Sequence, residues 1–195
     1  MLIHPTVERL RALGPTAMAD TLIELQNNPQ AVEIPHADWL GLLIDREATV
    51  RANRRLSRRL AAAKLRQAAT VENVDYRTAR GLDRALFQSL ATSRWVREHN
   101  HLAIVGPTGT GKSWLACALG NKACRDGFSV LHKRASRLFA DLATARGEGR
   151  LTRLMTTLER TNLLVSDDWD PSRSLPSSGA ISSRPSMTAT TKDRS

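Results

Sequence analysis

The eight residues Gly106-Pro107-Thr108-Gly109-Thr110-Gly111-Lys112-Ser113 constrain the fold of this chain more than any other stretch. They fit the pattern G-x-x-x-x-G-K-[ST], in which backbone N–H groups of a glycine-rich loop surround phosphate oxygens at the start of a helix. The apolar run 102–105 before the loop predicts a buried strand, and residues 114–125 after it predict a helix. Strand, loop and helix is the order that a phosphate-binding loop requires.

The residue types in this loop match the chemistry of a bound phosphate chain. Its three glycines allow the backbone to turn tightly against phosphate oxygens. Lys112 would neutralise the β- and γ-phosphates, and the hydroxyl of Ser113 would ligate Mg²⁺. A glycine-rich turn without a ligand is the alternative, but it would leave the charge of Lys112 without a packing purpose. We therefore predict a nucleotide site that uses Mg²⁺.

Strands and helices alternate around and after the loop. Further strands are predicted at 128–132 and 162–166, with helices at about 136–146 and 150–160 between them. This alternation predicts a parallel sheet, in which ligands bind at the carboxyl ends of the strands. The loop follows the first strand and Asp167-Asp168 follows the third. Both are therefore expected at the same edge of the sheet.

An acidic pair after a buried strand is the second half of many phosphate-binding sites. The first carboxylate holds Mg²⁺, and the second orients or deprotonates the attacking water. Here Asp167 is the predicted metal ligand together with Ser113, and Asp168 is the predicted catalytic residue together with Lys112. A strand that runs into an acidic turn is common, so this prediction depends on the alternating strands and helices around it.

The N-terminal part of the chain has a helical pattern. Apolar residues at helical spacing predict two short helices in a hairpin, with Val7, Leu10 and Leu13 in the first and Met18, Leu22 and Leu25 in the second. From His36 to about Ala69 we predict one long helix or two joined end to end, because this stretch has no proline and a single glycine.

The long helical segment carries basic residues with no acid between Ala48 and Val71. On a helix, positions 51, 55, 58, 59 and 66 would share one broad face. A solvated face usually mixes both signs, and a merely solvated basic face is the alternative here. We predict contacts to the phosphates of duplex DNA, because aromatic residues for stacking on single strands are absent from the segment. The predicted DNA-binding residues are Arg51, Arg54, Arg55, Arg58 and Arg59.

Composition supports a polyanionic partner, since the formal net charge is +10 and the isoelectric point is about 10.9. The start of the chain lacks a basic region followed by an apolar core, and no apolar run approaches the ~20 residues of a membrane span. We therefore expect a cytoplasmic protein with no membrane partner.

Cys117 and Cys124 lie beyond disulfide reach on the helix after the loop and are predicted to be core thiols.

Several motifs together are similar to those of one family. They are His4-Pro5-Thr6, Asp45-Arg46-Glu47, Asn53-Arg54-Arg55-Leu56, Arg80-Gly81-Leu82-Asp83, the loop continued through Trp114-Leu115-Ala116-Cys117-Ala118-Leu119, and Asp167-Asp168-Trp169. They closely resemble the IstB family of AAA+ ATPases, which assist the transposases of insertion sequences and are relatives of the DnaC helicase loaders. The resemblance runs from the N-terminus to Trp169.

The resemblance implies more than the loop chemistry does. It implies ATP as the nucleotide, an N-terminal helical DNA-binding region, homo-oligomers that assemble with ATP on duplex DNA, and stimulation of a transposase of the same insertion sequence. Two other functions stay open. A DnaC-like helicase loader would share this core, and a non-catalytic DNA-binding fragment would bind DNA whether or not ATP is present.

The resemblance stops after Trp169, where family members continue with a glycine and more than half a domain of helices and strands. Residues 170–195 here are rich in Ser, Pro, Thr and Arg, and we expect them to form a disordered tail that is translated out of frame. A flexible tail of ordinary origin is the alternative. The family's sensor strand, arginine finger and lid would then be missing, so we expect a degenerate copy with little or no ATP hydrolysis.

The predicted fold class is α/β, a P-loop NTPase of the AAA+ type with a parallel sheet and helices on both faces. It is expected to be incomplete at the C-terminus and to follow an all-α N-terminal region. The predicted divisions are a DNA-binding region at 1–70, a linker and helix at 71–100, a partial ATP-binding core at 101–169 and the tail at 170–195.

Overall fold

The computed structural model describes residues 5–77, 81–168 and 186–190, and the chain divides into two compact units, Met1–Ser57 and Arg58–Ser195. The helices are α1 Pro5–Leu13, α2 Thr16–Gln26, α3 His36–Ala63, α4 Arg84–Leu90, α5 Arg94–Arg97, α6 Lys112–Arg125, α7 Ala135–Gly147 and α8 Leu151–Glu159. The strands are β1 His101–Val105, β2 Val130–Arg134, β3 Leu163–Asp167 and β4 Ser186–Thr190, and short 3₁₀ turns lie at Pro29–Glu33 and Val71–Asn73. Among the described helices, none is both long and apolar enough to cross a membrane.

The first unit begins with the predicted helical hairpin, and the prediction of its two helices is confirmed. Its packing differs from the predicted stripes, because Val7 is buried while Leu13 is 81% exposed. Leu13 is the last residue of α1, and Gly14, with a φ of 102°, turns the chain directly after it. The buried residues of α2 are the small Ala17 and Ala19 rather than the larger residues of the predicted stripe.

Helix α3 is one continuous helix of 28 residues, which ends six residues before the predicted limit. Lys64, directly after it, has a φ of 51°, and a residue in this left-handed region cannot continue a right-handed helix. Arg66 therefore lies beyond the helix. The prediction that Arg66 shares a helical face with Arg51 and Arg55 is wrong for this reason.

The helix predicted within residues 71–100 is two helices, α4 and α5, instead of one. Asp83 begins α4 by accepting hydrogen bonds from the backbone N–H groups of Ala85 and Leu86 at 2.8 and 3.1 Å. The chain then breaks at Ser93, a buried residue whose φ of 55° interrupts the helical path. Trp95 of α5 donates from Nε1 to the carbonyl of Leu90 at 2.9 Å, so its indole bonds to the last turn of α4.

The second unit contains the predicted alternation of strands and helices, and the P-loop α/β fold class is confirmed. Strands β2 and β3 pair in parallel, in a register that runs from Val130 opposite Leu163 to Arg134 opposite Asp167. Helix α6 packs close to this pair at Gly120. A Cβ atom placed on Gly120 would lie 3.6 Å from side-chain atoms of both Val130 and Val165.

Strand β1 is not hydrogen-bonded to β3 in the described part of the chain and pairs instead with β4, antiparallel, from His101 opposite Thr190 to Val105 opposite Ser186. The expectation of a disordered tail is therefore wrong for residues 186–190. Threonine-containing segments have good strand propensity, and pairing satisfies backbone groups along an edge of β1. The rest of the predicted tail lies outside the described residues.

The core of the second unit forms around α6, with α4 and the segment before it. Its buried cluster comprises Ala69, Val74, Phe87, Leu90, Leu115, Cys117, Ala118 and Leu119. Cys117 and Cys124 are both free and buried, which confirms the prediction of core thiols. Burial raises the pKa of the Cys124 thiol above its ordinary value, which makes it a weaker nucleophile.

Candidate nucleotide-binding site

The glycine-rich loop connects the end of β1 at Val105 to the start of α6 at Lys112, in the predicted order of strand, loop and helix. Gly109 and Gly111 have φ values of 88° and 85°, in the left-handed region that favours glycine. A Cβ atom on Gly109 would meet nothing within 4 Å, so its backbone conformation and not a lack of space accounts for the glycine. The two glycines let the loop turn into the first residue of α6.

Lys112 folds back across the loop that precedes it. Its Nζ donates hydrogen bonds to the carbonyl oxygens of Gly106 and Pro107 at 2.8 and 2.7 Å. Thr110 Oγ1 donates to the same Pro107 carbonyl at 2.9 Å. Both partners of the ammonium are neutral, so its charge is not cancelled by a carboxylate within the described part of the chain. A cation held at the mouth of the loop suits an anionic ligand such as a phosphate.

Ser113 and Asp167 meet although they are 54 residues apart in the sequence. Ser113 Oγ donates to Asp167 Oδ1 at 3.0 Å, and the backbone N–H of Asp168 donates to the same oxygen at 2.9 Å. The other carboxylate oxygen, Asp167 Oδ2, is buried and has no hydrogen-bond partner among the described residues. A buried carboxylate oxygen costs free energy unless it is paired, so this atom is well suited to a cation.

These residues fit Mg²⁺ bound together with a nucleotide. A serine hydroxyl and an aspartate carboxylate would supply hard oxygen ligands, the kind that Mg²⁺ prefers. Across the described ranges, no group of three or more His, Cys, Asp or Glu side chains gathers into a metal cage. The geometry therefore favours a cation shared with a phosphate ligand over a metal held by protein groups alone.

Asp168 faces a different direction from its neighbour. Its φ of 58° is left-handed, its side chain is 60% exposed, and its Oδ2 lies 3.5 Å from Nε of Arg134. Two adjacent carboxylates thus have different surroundings, since one contacts the loop serine and the other contacts an arginine at the end of β2. Its predicted role in orienting water stays a prediction.

Three basic residues that the sequence did not assign to the site surround the acidic pair. Arg66 Nη1 lies 3.5 Å from Asp167 Oδ2, and Arg134 reaches Asp168. Burial lowers the pKa of His132 below its ordinary value; the charge of Asp167 opposes this shift, while Arg66 and Arg134 reinforce it. The parallel register sets His132 opposite Val165, near the acidic end of β3. In the sequence, its place at the end of the strand predicted at 128–132 is the signal that could have located this histidine.

Comparison with known proteins identifies the family of this chain. Residues 8–173 match the family model described as IstB-like ATP binding protein, and this range includes the whole glycine-rich loop. The chain belongs to that family. It is an IstB-like chain, and the resemblance inferred from its motifs is confirmed.

Relatives of this IstB-like chain are named as insertion-sequence ATP-binding proteins. One from Sinorhizobium fredii is 55% identical over 169 residues, which are 87% of this chain and 69% of the relative. The protein named for insertion sequence IS1162 in Pseudomonas fluorescens is 40% identical over 170 residues, 87% of this chain and 74% of the relative. The protein named for IS21 in Pseudomonas aeruginosa is 33% identical over 136 residues, 70% of this chain and 51% of the relative.

The arginines predicted to bind DNA have different surroundings along α3 of the IstB-like chain. Arg51 Nε donates to Glu47 Oε1 at 2.6 Å, so a carboxylate one turn earlier offsets its charge. Arg54 and Arg55 are exposed and make longer contacts, to Thr16 Oγ1 at 3.4 Å and to the carbonyl of Arg51 at 3.3 Å. Arg58 is also exposed, whereas Arg59 is half-buried, and its Nε is buried without a hydrogen-bond partner among the described residues.

Proposed function

We propose that this IstB-like chain binds ATP and Mg²⁺ through residues 106–113 and Asp167, and that it assists transposition of an insertion sequence. In this proposal it binds duplex DNA as a homo-oligomer and stimulates a transposase. The observation that carries the nucleotide site is the 3.0 Å contact between Ser113 Oγ and Asp167 Oδ1, because it joins the loop to the acidic strand end. Similarity to proteins named for insertion sequences supports the biological setting.

Each residue of the site has a distinct part in the proposed binding. Backbone N–H groups of the loop and the first turn of α6 donate to phosphate oxygens, and Lys112 exchanges its two carbonyl partners for the phosphates. Ser113 and Asp167 hold the metal ion. When bound, Mg²⁺ would offset the negative charge of the phosphates. Asp168 orients the attacking water.

We further propose that hydrolysis by this chain is slow. Strands β1 and β3 belong to separate two-stranded sheets in the described part of the chain, so no shared ladder fixes the loop relative to Asp167. Asp168 is largely exposed and lies beside Arg134, so its carboxylate orients the attacking water only weakly. Positioning of groups contributes much of the rate in phosphoryl transfer, so loss of this positioning lowers turnover more than binding.

The variant Lys112→Ala tests the nucleotide site. With a fluorescent ATP analogue and Mg²⁺, we expect it to weaken binding about 10- to 100-fold, the effect of losing hydrogen bonds from a charged donor. Lys122→Ala is the matched control, because Lys122 lies on the same helix, pairs with Asp126 and is remote from the loop. We expect the control to bind like the unmodified chain. Far-ultraviolet circular dichroism of both variants checks that each remains folded.

Three outcomes would contradict parts of the proposal. Equal binding by Lys112→Ala and the unmodified chain would exclude the loop as the nucleotide site. Turnover near the ~10 s⁻¹ typical of enzymes, abolished by Lys112→Ala, would contradict slow hydrolysis. Duplex DNA binding that is indifferent both to ATP and to Lys112→Ala would favour the non-catalytic DNA-binding fragment over the ATP-dependent helper.

A further inference from the structure

Arg66 is held in place by the segment that follows α3. Ala63 and Ala69, on either side of it, are fully buried. Its neighbour Leu65 packs on α6, with Cδ2 only 3.0 Å from the position that a Cβ atom on Gly120 would take. The backbone of Arg66 is therefore fixed against the helix that begins at the nucleotide loop, and its side chain extends from this anchor.

The guanidinium of Arg66 faces the one carboxylate oxygen of Asp167 that lacks a hydrogen bond in the described chain. The distance from Nη1 to Oδ2 is 3.5 Å, which is an ion pair but not a hydrogen bond, whereas Oδ1 accepts from Ser113 and from the Asp168 N–H. Arg66 is 48% exposed, so its own charge stays solvated if it moves away, provided that another cation then pairs with Asp167. Its contact with Asp167 is electrostatic and replaceable.

We propose that Arg66 is a positioning residue that serves as the counter-ion of Asp167 and competes with the metal ion for its carboxylate. This inference rests on the proposed function. A guanidinium and Mg²⁺ are both attracted to Asp167 and repel each other, so Arg66 opposes metal binding. The same positive charge attracts the phosphates of a nucleotide that carries no metal. Arg66 thus favours nucleotide without metal and disfavours the Mg²⁺ complex.

The two opposite effects give a test that does not depend on hydrolysis. The full chain and Arg66→Gln are titrated with a fluorescent ATP analogue, first in EDTA and then at increasing Mg²⁺. In Arg66→Gln we expect the affinity for the ATP analogue in EDTA to fall about 3- to 10-fold. The Mg²⁺ concentration that gives half-maximal binding of the analogue should fall by a similar factor, because the metal ion no longer competes with Arg66. A residue with a merely structural role would weaken binding in both conditions together, because loss of folded structure does not distinguish the two forms of the nucleotide.

Two further variants control for charge and for folding. Arg66→Lys keeps the positive charge and is expected to retain most of the metal dependence of the unmodified chain, so it also reports on the site if Arg66→Gln is unstable. Arg134→Gln removes the same charge beside Asp168 rather than Asp167, and we expect it to shift the Mg²⁺ midpoint less than half as much. An equal shift in Arg134→Gln would show a general effect of charge and overturn the assignment.

The outcomes distinguish a failure of the proposed nucleotide binding from a failure of the proposed role of Arg66 alone. If the unmodified chain binds no nucleotide in either condition, the proposed function fails, and the role of Arg66 fails with it. If the unmodified chain binds nucleotide and Arg66→Gln leaves the metal dependence unchanged, the role of Arg66 alone is overturned. Opposite shifts in EDTA and in Mg²⁺, restored by Arg66→Lys, would support it.

Discussion

Glu47 is a buried carboxylate that caps the N-terminus of α2, although it lies 30 residues after Ala17 in the sequence. Its Oε2 accepts hydrogen bonds from the backbone N–H groups of Ala17 and Met18 at 2.9 and 3.2 Å, and these belong to the first turn of α2. The residue before that helix is Pro15, whose side chain cannot accept a hydrogen bond. Glu47 thus supplies from α3 the cap that the sequence next to α2 lacks, and Arg51 balances its charge.

The first prediction is that Glu47→Gln destabilises the first unit in a pH-dependent way. The hydrogen bond from Arg51 lowers the pKa of Glu47 below its ordinary value of 4.5, although burial opposes this shift. Because the folded pKa is the lower one, the stabilisation is present above about pH 4.5 and is lost as the pH falls through the folded pKa. We expect thermal melts at pH 7 to show a Tm about 5 °C lower in the variant.

The control for this prediction is Glu24→Gln, which changes an exposed glutamate on α2 itself. It should leave the melt unchanged at every pH. Melts of the unmodified chain and of Glu47→Gln should converge as the pH falls through the folded pKa of Glu47, which lies below 4.5. A Tm difference that does not shrink as the pH is lowered below 4.5 would show that the charge of Glu47 is not responsible.

The sequence predicted site residues where the motif is local and missed those that depend on tertiary contacts. Lys112 and Ser113 follow from the spacing of the loop, and Asp167 from an acid at the end of an apolar strand. Arg66 was predicted on a DNA-binding face, because nothing in the sequence indicates that Lys64 leaves the helical conformation. The i,i+4 spacing of Glu47 and Arg51 is typical of an ion pair on a helix. Glu47, however, lies just before the acid-free segment between Ala48 and Val71 on which the DNA-binding prediction is based.

The helices and strands follow one another closely in the predicted order, and where their bounds differ from the prediction the cause is local. Strand β2 was predicted at 128–132 but occupies Val130–Arg134. The N–H of Gly127 bonds to the carbonyl of Cys124, and the N–H of Phe128 to that of Ala123, at 3.2 and 3.0 Å. This is the Schellman pattern of helix ends, which ties Phe128 to α6 and delays the strand. Helix α6 ends at Arg125 as predicted, but Phe128, the residue after Gly127, also belongs to the cap.

Helix α3 gives the second prediction, which concerns duplex DNA. Arg54 and Arg55 are exposed on α3 and pair with no carboxylate in the described chain, whereas Arg51 pairs with Glu47. Each phosphate contact changes the slope of log K against log salt concentration by about 0.9. We expect the double variant Arg54→Ala, Arg55→Ala to reduce that slope by about 2, measured by fluorescence anisotropy on duplexes of unrelated sequence.

A matched double variant separates phosphate contact from a general loss of charge. Arg94 and Arg97 lie exposed on α5, and changing both to alanine removes the same two charges from another element. That control should keep the salt dependence of the unmodified chain. If both double variants flatten the slope equally, DNA binding does not involve α3 specifically, and an unchanged slope in the first would remove Arg54 and Arg55 from the interface.

For the whole molecule, the two compact units are expected to differ in stability. The first, Met1–Ser57, has a core of small residues, with Ala17, Ala19 and Ala31 buried beside Val7 and Leu43. A domain of ~60 residues buries a smaller fraction of its surface than a larger domain does, and its stability is correspondingly marginal. The second unit buries Phe87, several leucines and most of one side of α6. Opening of the first unit should therefore require less free energy than opening of the second.

The last prediction is that nucleotide stabilises one unit only. Every residue proposed to hold ATP lies in Arg58–Ser195, so ligand at ~100 times its Kd should add about 2.7 kcal/mol to the unfolding free energy of that unit. In hydrogen exchange monitored by mass spectrometry, we expect amides of α6 and β3 that exchange by unfolding to slow about 100-fold with Mg²⁺ and ATP. Amides of α1 and α2 should exchange faster than these and be unaffected by ligand. Equal protection of α1 and α2 would show that the two units unfold together. At the same ligand concentration, Lys112→Ala should reduce the protection of α6 and β3 from about 100-fold to between about 2- and 10-fold.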